Sequence, residues 1–305
     1  MCVLKMIYNI TFSIPEAKIV GSYTAKTKLL SDLIPGRRET YIYNTEEDYY
    51  NEYKQSLFAT TTKKVGWDCM RHYEIVANGC LPFFPGFEKC PPQTMSTWPK
   101  DLQIEVNQFY QECRGNNNVN VDRWDRLMDQ FIHHMRKHLT TRSMADYIVN
   151  TVGFDQASKI LFLSGFIPPD YLRDLTLHGL KEKMGPGCHD FPMIPFLYKS
   201  YDQPMNNFWG KGFTYSRLLE PHMRDHSLDE SLLRDIKNKY YDLIIYGSYH
   251  RGIEMPLYDY IVNYYEPRQI ILLCGGDIHE CPYQEWVDKG HFVFVRELPY
   301  FLSLE

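Results

Sequence analysis

Short apolar runs that stop abruptly at glycine or serine constrain this chain more than any other feature. In the second half, residues 159–163 end at Ser164-Gly165, residues 242–246 at Gly247-Ser248, and residues 269–274 at Gly275-Gly276. A further run covers 291–296. Between them, residues 171–182, 228–238 and 257–265 carry apolar side chains at helical spacing. A strand that is apolar throughout is buried on both faces. Such strands alternating with helices predict parallel sheets with covered faces, so the expected class is α/β with two Rossmann-like halves.

The first half repeats the alternation less regularly. An apolar stretch, 7–14, precedes Pro15, and 41–43 and 57–60 read as short strands. Thr45 followed by Glu46, Glu47 and Asp48 reads as an N-cap with an acidic first turn, opening a helix through 49–56. A second helix starts at Trp67 or Asp68 and stops at Asn78-Gly79, which accept the left-handed cap. Residues 80–84 read as a buried strand, then 102–113, 121–138 and 142–149 as helices. At 305 residues, two domains are expected, divided as 1–153 and 154–305.

Composition removes several classes. Lys+Arg 33 against Asp+Glu 38 gives a net charge of −5, which disfavours nucleic-acid binding through a basic surface. No apolar run approaches the roughly 20 residues of a membrane span. Residues 1–11 hold one lysine and no small-residue cleavage site, which reads against a secretory signal. The eight cysteines are irregularly spaced with no C-x-x-C pair, a pattern expected of free thiols in a cytoplasmic protein. The 24 tyrosines are expected mostly to pack with satisfied hydroxyls, though exposed aromatics also stack on sugars or bases.

Open α/β sheets bind ligands past the carboxyl ends of their strands. The second half marks three such edges: Ser164-Gly165, then Gly247-Ser248 with His250 and Arg251, then Gly275-Gly276 with Asp277 and His279. No G-x-G-x-x-G or Walker loop occurs, so those modes of NAD and ATP binding are not supported. The densest signal lies earlier, at Lys63-Lys64-Val65-Gly66-Trp67 and the helix carrying Arg71, Tyr73 and Glu74. Two lysines and a glycine before a helix N-terminus suit an anion. Arg71 and Glu74, at i and i+3, share one helix face. An arginine fork fits a diphosphate, and a glutamate accepts from ribose hydroxyls.

The pattern of Arg71, Tyr73-Glu74 and Gly79-Cys80-Leu81-Pro82 resembles the nucleotide-sugar site of GT-B glycosyltransferases, in particular the exostosin-like (glycosyltransferase family 47-like) donor domain. The likeness covers about 40 residues, with flanks at 41–59 and 139–147; many of the relatives are viral or bacterial. Residues 159–163, 169–172, 178–180, 212–215, 242–248 and His250-Arg251 resemble the other domain of the same proteins. There that domain comes first, so the resemblance implies a circular permutation in which 294–298 would run on into 10–15.

The resemblance implies transfer of a sugar from a nucleotide-diphosphate sugar to a glycan or other hydroxyl acceptor, with no cofactor and no metal. Glu74 would bind the donor ribose and Arg71 the phosphates, with Lys63, Lys64, Gly66, Trp67 and Tyr73 around them. Inverting transfer needs a base on the acceptor hydroxyl. Asp277 comes first as candidate because it follows a strand-end glycine pair, then His250 and Asp170. Ser164, Gly165, Ser248, Arg251 and His279 are expected to line the cleft. Three alternatives stay open: a non-catalytic nucleotide- or glycan-binding relative, an epimerase, or a phosphorylase.

Overall fold

The structure, a computed structural model, describes residues 6–116, 118–165, 168–251, 255–277 and 281–298. The strands are β1 (Ile7–Asn9), β2 (Lys28–Leu30), β3 (Ser56–Thr60), β4 (Leu81–Phe83), β5 (Ile160–Leu163), β6 (Cys188–Phe191), β7 (Leu243–Tyr246), β8 (Ile270–Cys274) and β9 (Phe292–Val295). The α-helices are α1 (Glu46–Lys54), α2 (Met70–Ala77), α3 (Lys100–Asn116), α4 (Val121–His138), α5 (Thr141–Thr151), α6 (Tyr171–Met184), α7 (Ser227–Lys237), α8 (Tyr258–Ile261) and α9 (Gln284–Asp288). Six strands form one parallel sheet, in the order β1-β9-β8-β7-β5-β6, and three form another, in the order β2-β3-β4. The class is therefore α/β.

The period of two along each strand explains the covered faces. Ile160, Phe162, Leu243, Ile245, Ile271, Leu273, Phe292 and Phe294 point into a core shared with α5 and α6. Their neighbours Leu161, Leu163, Ile244, Tyr246, Ile270, Leu272, Val293 and Val295 point the other way, onto Leu232 and Ile236 of α7 and Ile261 of α8. The shared core continues through Phe12, Phe58, Tyr73, Trp98 and Phe131 into the three-stranded sheet. Thr45 caps α1, accepting from Asp48 N at 3.1 Å, as its sequence context requires.

The expected division at residue 153 does not follow the sheets. β1 pairs with β9 (Tyr8 opposite Phe294), and α5 packs on α6. The crossing runs through Ile14, whose N–H donates to Leu139 O while its carbonyl accepts from Thr141 N, both at 2.9 Å. Residues 41–43 form no strand, and 257–265 hold only the single turn α8. Two strands escaped the sequence reading: β2, and β6 inside a stretch rich in proline and glycine.

The cysteine reading also needs correction. Cys274 and Cys281 form a disulfide, whereas Cys69, Cys80, Cys90, Cys113 and Cys188 are free thiols. Cys274 ends β8, and the chain returns at Cys281 with the Cα atoms 6.3 Å apart, inside the range a disulfide spans. Linear spacing does not reveal that return. Among the described residues, no helix is long and apolar enough to cross a membrane.

The α5–α6 contact depends on Gly179, where a Cβ would lie 2.0 Å from Thr141 O. Alanine favours a helix by about 1 kcal/mol over glycine, but here it must displace backbone. Gly179→Ala is expected to destabilise the protein by about 1–3 kcal/mol, read as a lower urea midpoint at unchanged slope.

Candidate functional site

A cleft of about 720 Å³ opens between the two sheets. Every segment lining it follows the carboxyl end of a strand. Phe12 follows β1; Arg38, Tyr41 and Tyr43 follow β2; residues 64–74 follow β3; Asp170 and Tyr171 follow β5. Residues 208–213 follow β6, Arg251 follows β7, and Gly275 and Asp277 follow β8. Parallel strands put all their carboxyl ends on one side, which is why positions so far apart in sequence converge.

The structure brings Lys64, Gly66, Arg71, Glu74, Asp170, Arg251 and Asp277 to the cleft wall. Arg71 projects from the first turn of α2. Its guanidinium lies 5.7 Å from the Tyr41 ring, and its buried Nε and Nη1 have no hydrogen-bond partner among the described residues. Burial opposes its charge, but the phenols of Tyr41, Tyr53 and Tyr49 favour it and hold its pKa above the ordinary value. The Tyr41 hydroxyl is likewise buried without a partner there. A guanidinium and a phenol left with unused donors at a cleft wall make a site for an oxyanion.

Glu74 is held tightly. Its Oε2 accepts from Tyr49 OH at 2.8 Å and its Oε1 from Thr214 Oγ1 at 2.6 Å. Burial raises its pKa, against those two bonds and Arg71. It therefore joins α2 to a segment of the second half as well as facing the cleft.

Gly66 has a different role from the expected close approach of a phosphate. A Cβ there would lie 2.6 Å from Glu297 Oε1 and 3.2 Å from Arg296 Nη1. Glu297 Oε1 also accepts from Asp68 N at 2.9 Å. Arg296, fully buried at the end of β9, donates to Gly275 O (3.2 and 3.1 Å), Gly276 O (3.1 Å), Glu297 Oε1 (3.0 Å), Asp68 O and Asp277. Its guanidinium lies 4.4 Å from the Phe12 ring.

The candidate bases differ in their surroundings. Asp277 lines the cleft, is 60% exposed, and pairs with Arg296. Asp170 caps α6 through Arg173 N (3.2 Å) and pairs with Arg251 at 3.1 Å. Burial pushes its carboxyl up, but His250, Arg173 and Arg251 outweigh this and hold it below the ordinary value, which makes it a weak base. His250 does not line the cleft. Its Nδ1 accepts from Gly275 N at 3.3 Å and its Nε2 faces Asp170 at 3.7 Å. Burial lowers its pKa, against Asp170.

Several expected site residues lie elsewhere. Tyr73 is fully buried against Trp98 and donates to Asp68 Oδ1 at 2.9 Å, so it packs in the core. Trp67 packs on Phe84, and Lys63 is exposed over the Trp67 ring. Ser164 is buried, accepting from Arg173 Nη1 at 3.4 Å, and Gly165 is exposed off the cleft. Ser248 is buried in a left-handed turn (φ 61°). His279 lies outside the described residues. Sequence reasoning missed Arg38, Tyr49, Trp209, Lys211 and Phe213. Their only signals were the tyrosine count and the glycine-rich run around 210.

Comparison with known protein families, with curated proteins and with solved structures gives no match.

Two expectations follow from the cleft floor. Asp68, accepting from Phe12 N (2.7 Å) and Tyr73 OH, has its carboxyl raised by burial, against Arg296, to about 6. An unfolded aspartate titrates near 4. The native state therefore binds more protons between those values, and the Asp68 contribution to stability falls as pH rises from about 4 to 6. Carbon-13 NMR of the aspartate carboxyls should show one titrating near 6. Arg296→Met strands two carbonyls of the 275–276 turn and two carboxylates, and should cost about 3–5 kcal/mol in urea unfolding.

Proposed function

We propose that the chain is a glycosyltransferase of GT-B-like architecture, moving a sugar from a nucleotide-diphosphate sugar to a hydroxyl acceptor. The observation that carries the reading is Arg71, a buried guanidinium with unused donors in a cleft between two parallel sheets. Arg38, Lys64, Arg71 and Lys211 line that cleft with no ion-pair partner among the described residues. Together they suit the doubly charged diphosphate better than a single carboxylate. The adjacency of β1 and β9 supports the permuted order implied by the resemblance, since it sets the first strand beside the last.

In this reading the acceptor oxygen attacks the anomeric carbon and the bond from that carbon to the diphosphate oxygen breaks. The diphosphate leaves with the electron pair, its charge offset by Arg71 and Lys64. Asp277, at the cleft edge, takes the acceptor proton. A second reading, a nucleotide- or glycan-binding protein without turnover, draws support from the ion pairs held by both candidate carboxylates, Asp277 with Arg296 and Asp170 with Arg251.

Thermal unfolding with a panel of nucleoside diphosphates and nucleotide sugars tests the site. A ligand at one hundred times its dissociation constant adds about 2.7 kcal/mol. One nucleotide is expected to raise the midpoint, Arg71→Ala to abolish the rise, and Arg71→Lys to keep part of it. No rise with any nucleotide would remove the donor site. A rise without sugar release or transfer would select the non-catalytic reading.

A further inference from the structure

The segment over the cleft mouth, residues 208–214, is held in a shape it would not adopt alone. Gly210, Lys211, Gly212 and Thr214 all have positive φ, at 55°, 55°, 78° and 74°. For Lys211 and Thr214 that region is strained, and it persists only where surrounding contacts impose it. Those contacts come from the other half of the molecule. Lys211 Nζ donates to Tyr43 O and Asn44 Oδ1, both at 2.7 Å. Thr214 N donates to Glu46 Oε1 at 2.6 Å, and its hydroxyl to Glu74. Phe213 packs on Tyr49, their ring centroids 5.8 Å apart.

The strap presents Trp209. Trp209 is 50% exposed and lines the cleft; its ring centroid lies 6.1 Å from that of Tyr171, and the Arg251 guanidinium lies over the ring at 5.7 Å. Tyr215 OH donates to Trp209 O at 3.0 Å and fixes the backbone beneath it. A single exposed aromatic needs no explanation. A large ring at the mouth of a polar cleft, set on backbone strained into place, calls for one.

We infer that Trp209 is a stacking platform for a pyranose ring of an oligosaccharide, the acceptor side of the cleft. This rests on the transferase reading for its place in the reaction, but not for the binding itself. The cations without ion-pair partners near the β3 end, Arg71 and Lys64, belong to the first half and serve the anionic ligand. Trp209 belongs to the second half, beside Asp170 and Arg251, whose charges already satisfy each other, and near Lys211, whose ammonium is turned to Tyr43 O and Asn44 Oδ1. What remains there is a flat apolar face flanked by hydrogen-bonding groups. That matches the apolar C–H face and hydroxyl rim of a pyranose, which needs stacking and neutral hydrogen bonds rather than net charge.

The test uses the full chain with tetrasaccharides of glucose, mannose and xylose, with and without a saturating nucleoside diphosphate. Calorimetry and tryptophan fluorescence report saccharide binding, and the thermal midpoint reports nucleotide binding separately. At least one saccharide is expected to bind the wild type. Trp209→Ala should weaken it about tenfold or more, and Trp209→Phe less. The nucleotide-induced rise should survive in both variants. Thr214→Ala, which leaves the ring but releases the strap, should weaken saccharide binding as well. Lack of binding by every saccharide, or equal binding by Trp209→Ala, would overturn the proposal. So would loss of the nucleotide rise in Trp209→Ala with saccharide binding intact. A wild type that binds saccharide but no nucleotide would remove the transferase reading and leave the platform standing.

Discussion

The arrangement of the cleft depends on one buried cation. Arg296 has no exposed surface, so its charge is tolerable only because acceptors surround it. Those acceptors come from three places: the 275–277 turn after β8, Glu297 beside it, and the backbone of Asp68 ahead of α2. The guanidinium fork sets the distance between the sheet edge and the helix carrying Arg71 and Glu74. Gly66 lacks a side chain because Glu297 occupies the space one would need. The residue types before α2 that suggest a phosphate cradle are thus explained in part by packing against a buried ion pair.

A second set of contacts also joins the two halves of the chain. The 208–214 strap reaches from the second half to α1 and Glu74, and its left-handed residues are held by those bonds. The two crossings differ in kind. The Arg296 node is buried and costly to break. The strap is held by buried and half-buried hydrogen bonds, two of them from Thr214 to the carboxylates of Glu46 and Glu74.

The sequence was legible where local chemistry and tertiary context agree. Unbroken apolar runs such as 160–163 and 270–274 announced parallel strands covered on both faces, and the i, i+3 spacing of Arg71 and Glu74 put both on the cleft wall. Thr45 announced its cap through the acidic turn behind it. The reading failed where an element is defined by its neighbours. β2 is three residues long and half-buried, and β6 is an edge strand whose His189 and Asp190 are buried by polar partners, so neither shows an apolar run. Tyr73 sits in the same motif as Arg71 and Glu74, but successive helix positions point about 100° apart, which turns Tyr73 to the core and leaves the other two on the cleft. The Cys274–Cys281 pairing and the Arg296 node both depend on a chain reversal that linear spacing does not encode.

Charge is unevenly distributed within the cleft. The chain as a whole carries −5, yet its cleft gathers Arg38, Lys64, Arg71, Lys211 and Arg251. Of the carboxylates facing them, Asp170 and Asp277 are bound to arginines and Glu74 to two hydroxyls. Burial raises the Asp68 carboxyl to about 6, against Arg296, so it is still mostly ionised at neutral pH. Glu74, on the same helix face as Arg71, is the carboxylate nearest to it in charge effect, and Arg71 favours its ionised form. A low-dielectric cleft with an unspent guanidinium attracts an anion from a surface that otherwise repels one. The first half supplies most of that attraction through Arg38, Lys64 and Arg71, and the second supplies the Trp209 ring together with Lys211. The cleft is therefore asymmetric, with its cations gathered mainly on one wall and the exposed Trp209 ring on the other half of the chain.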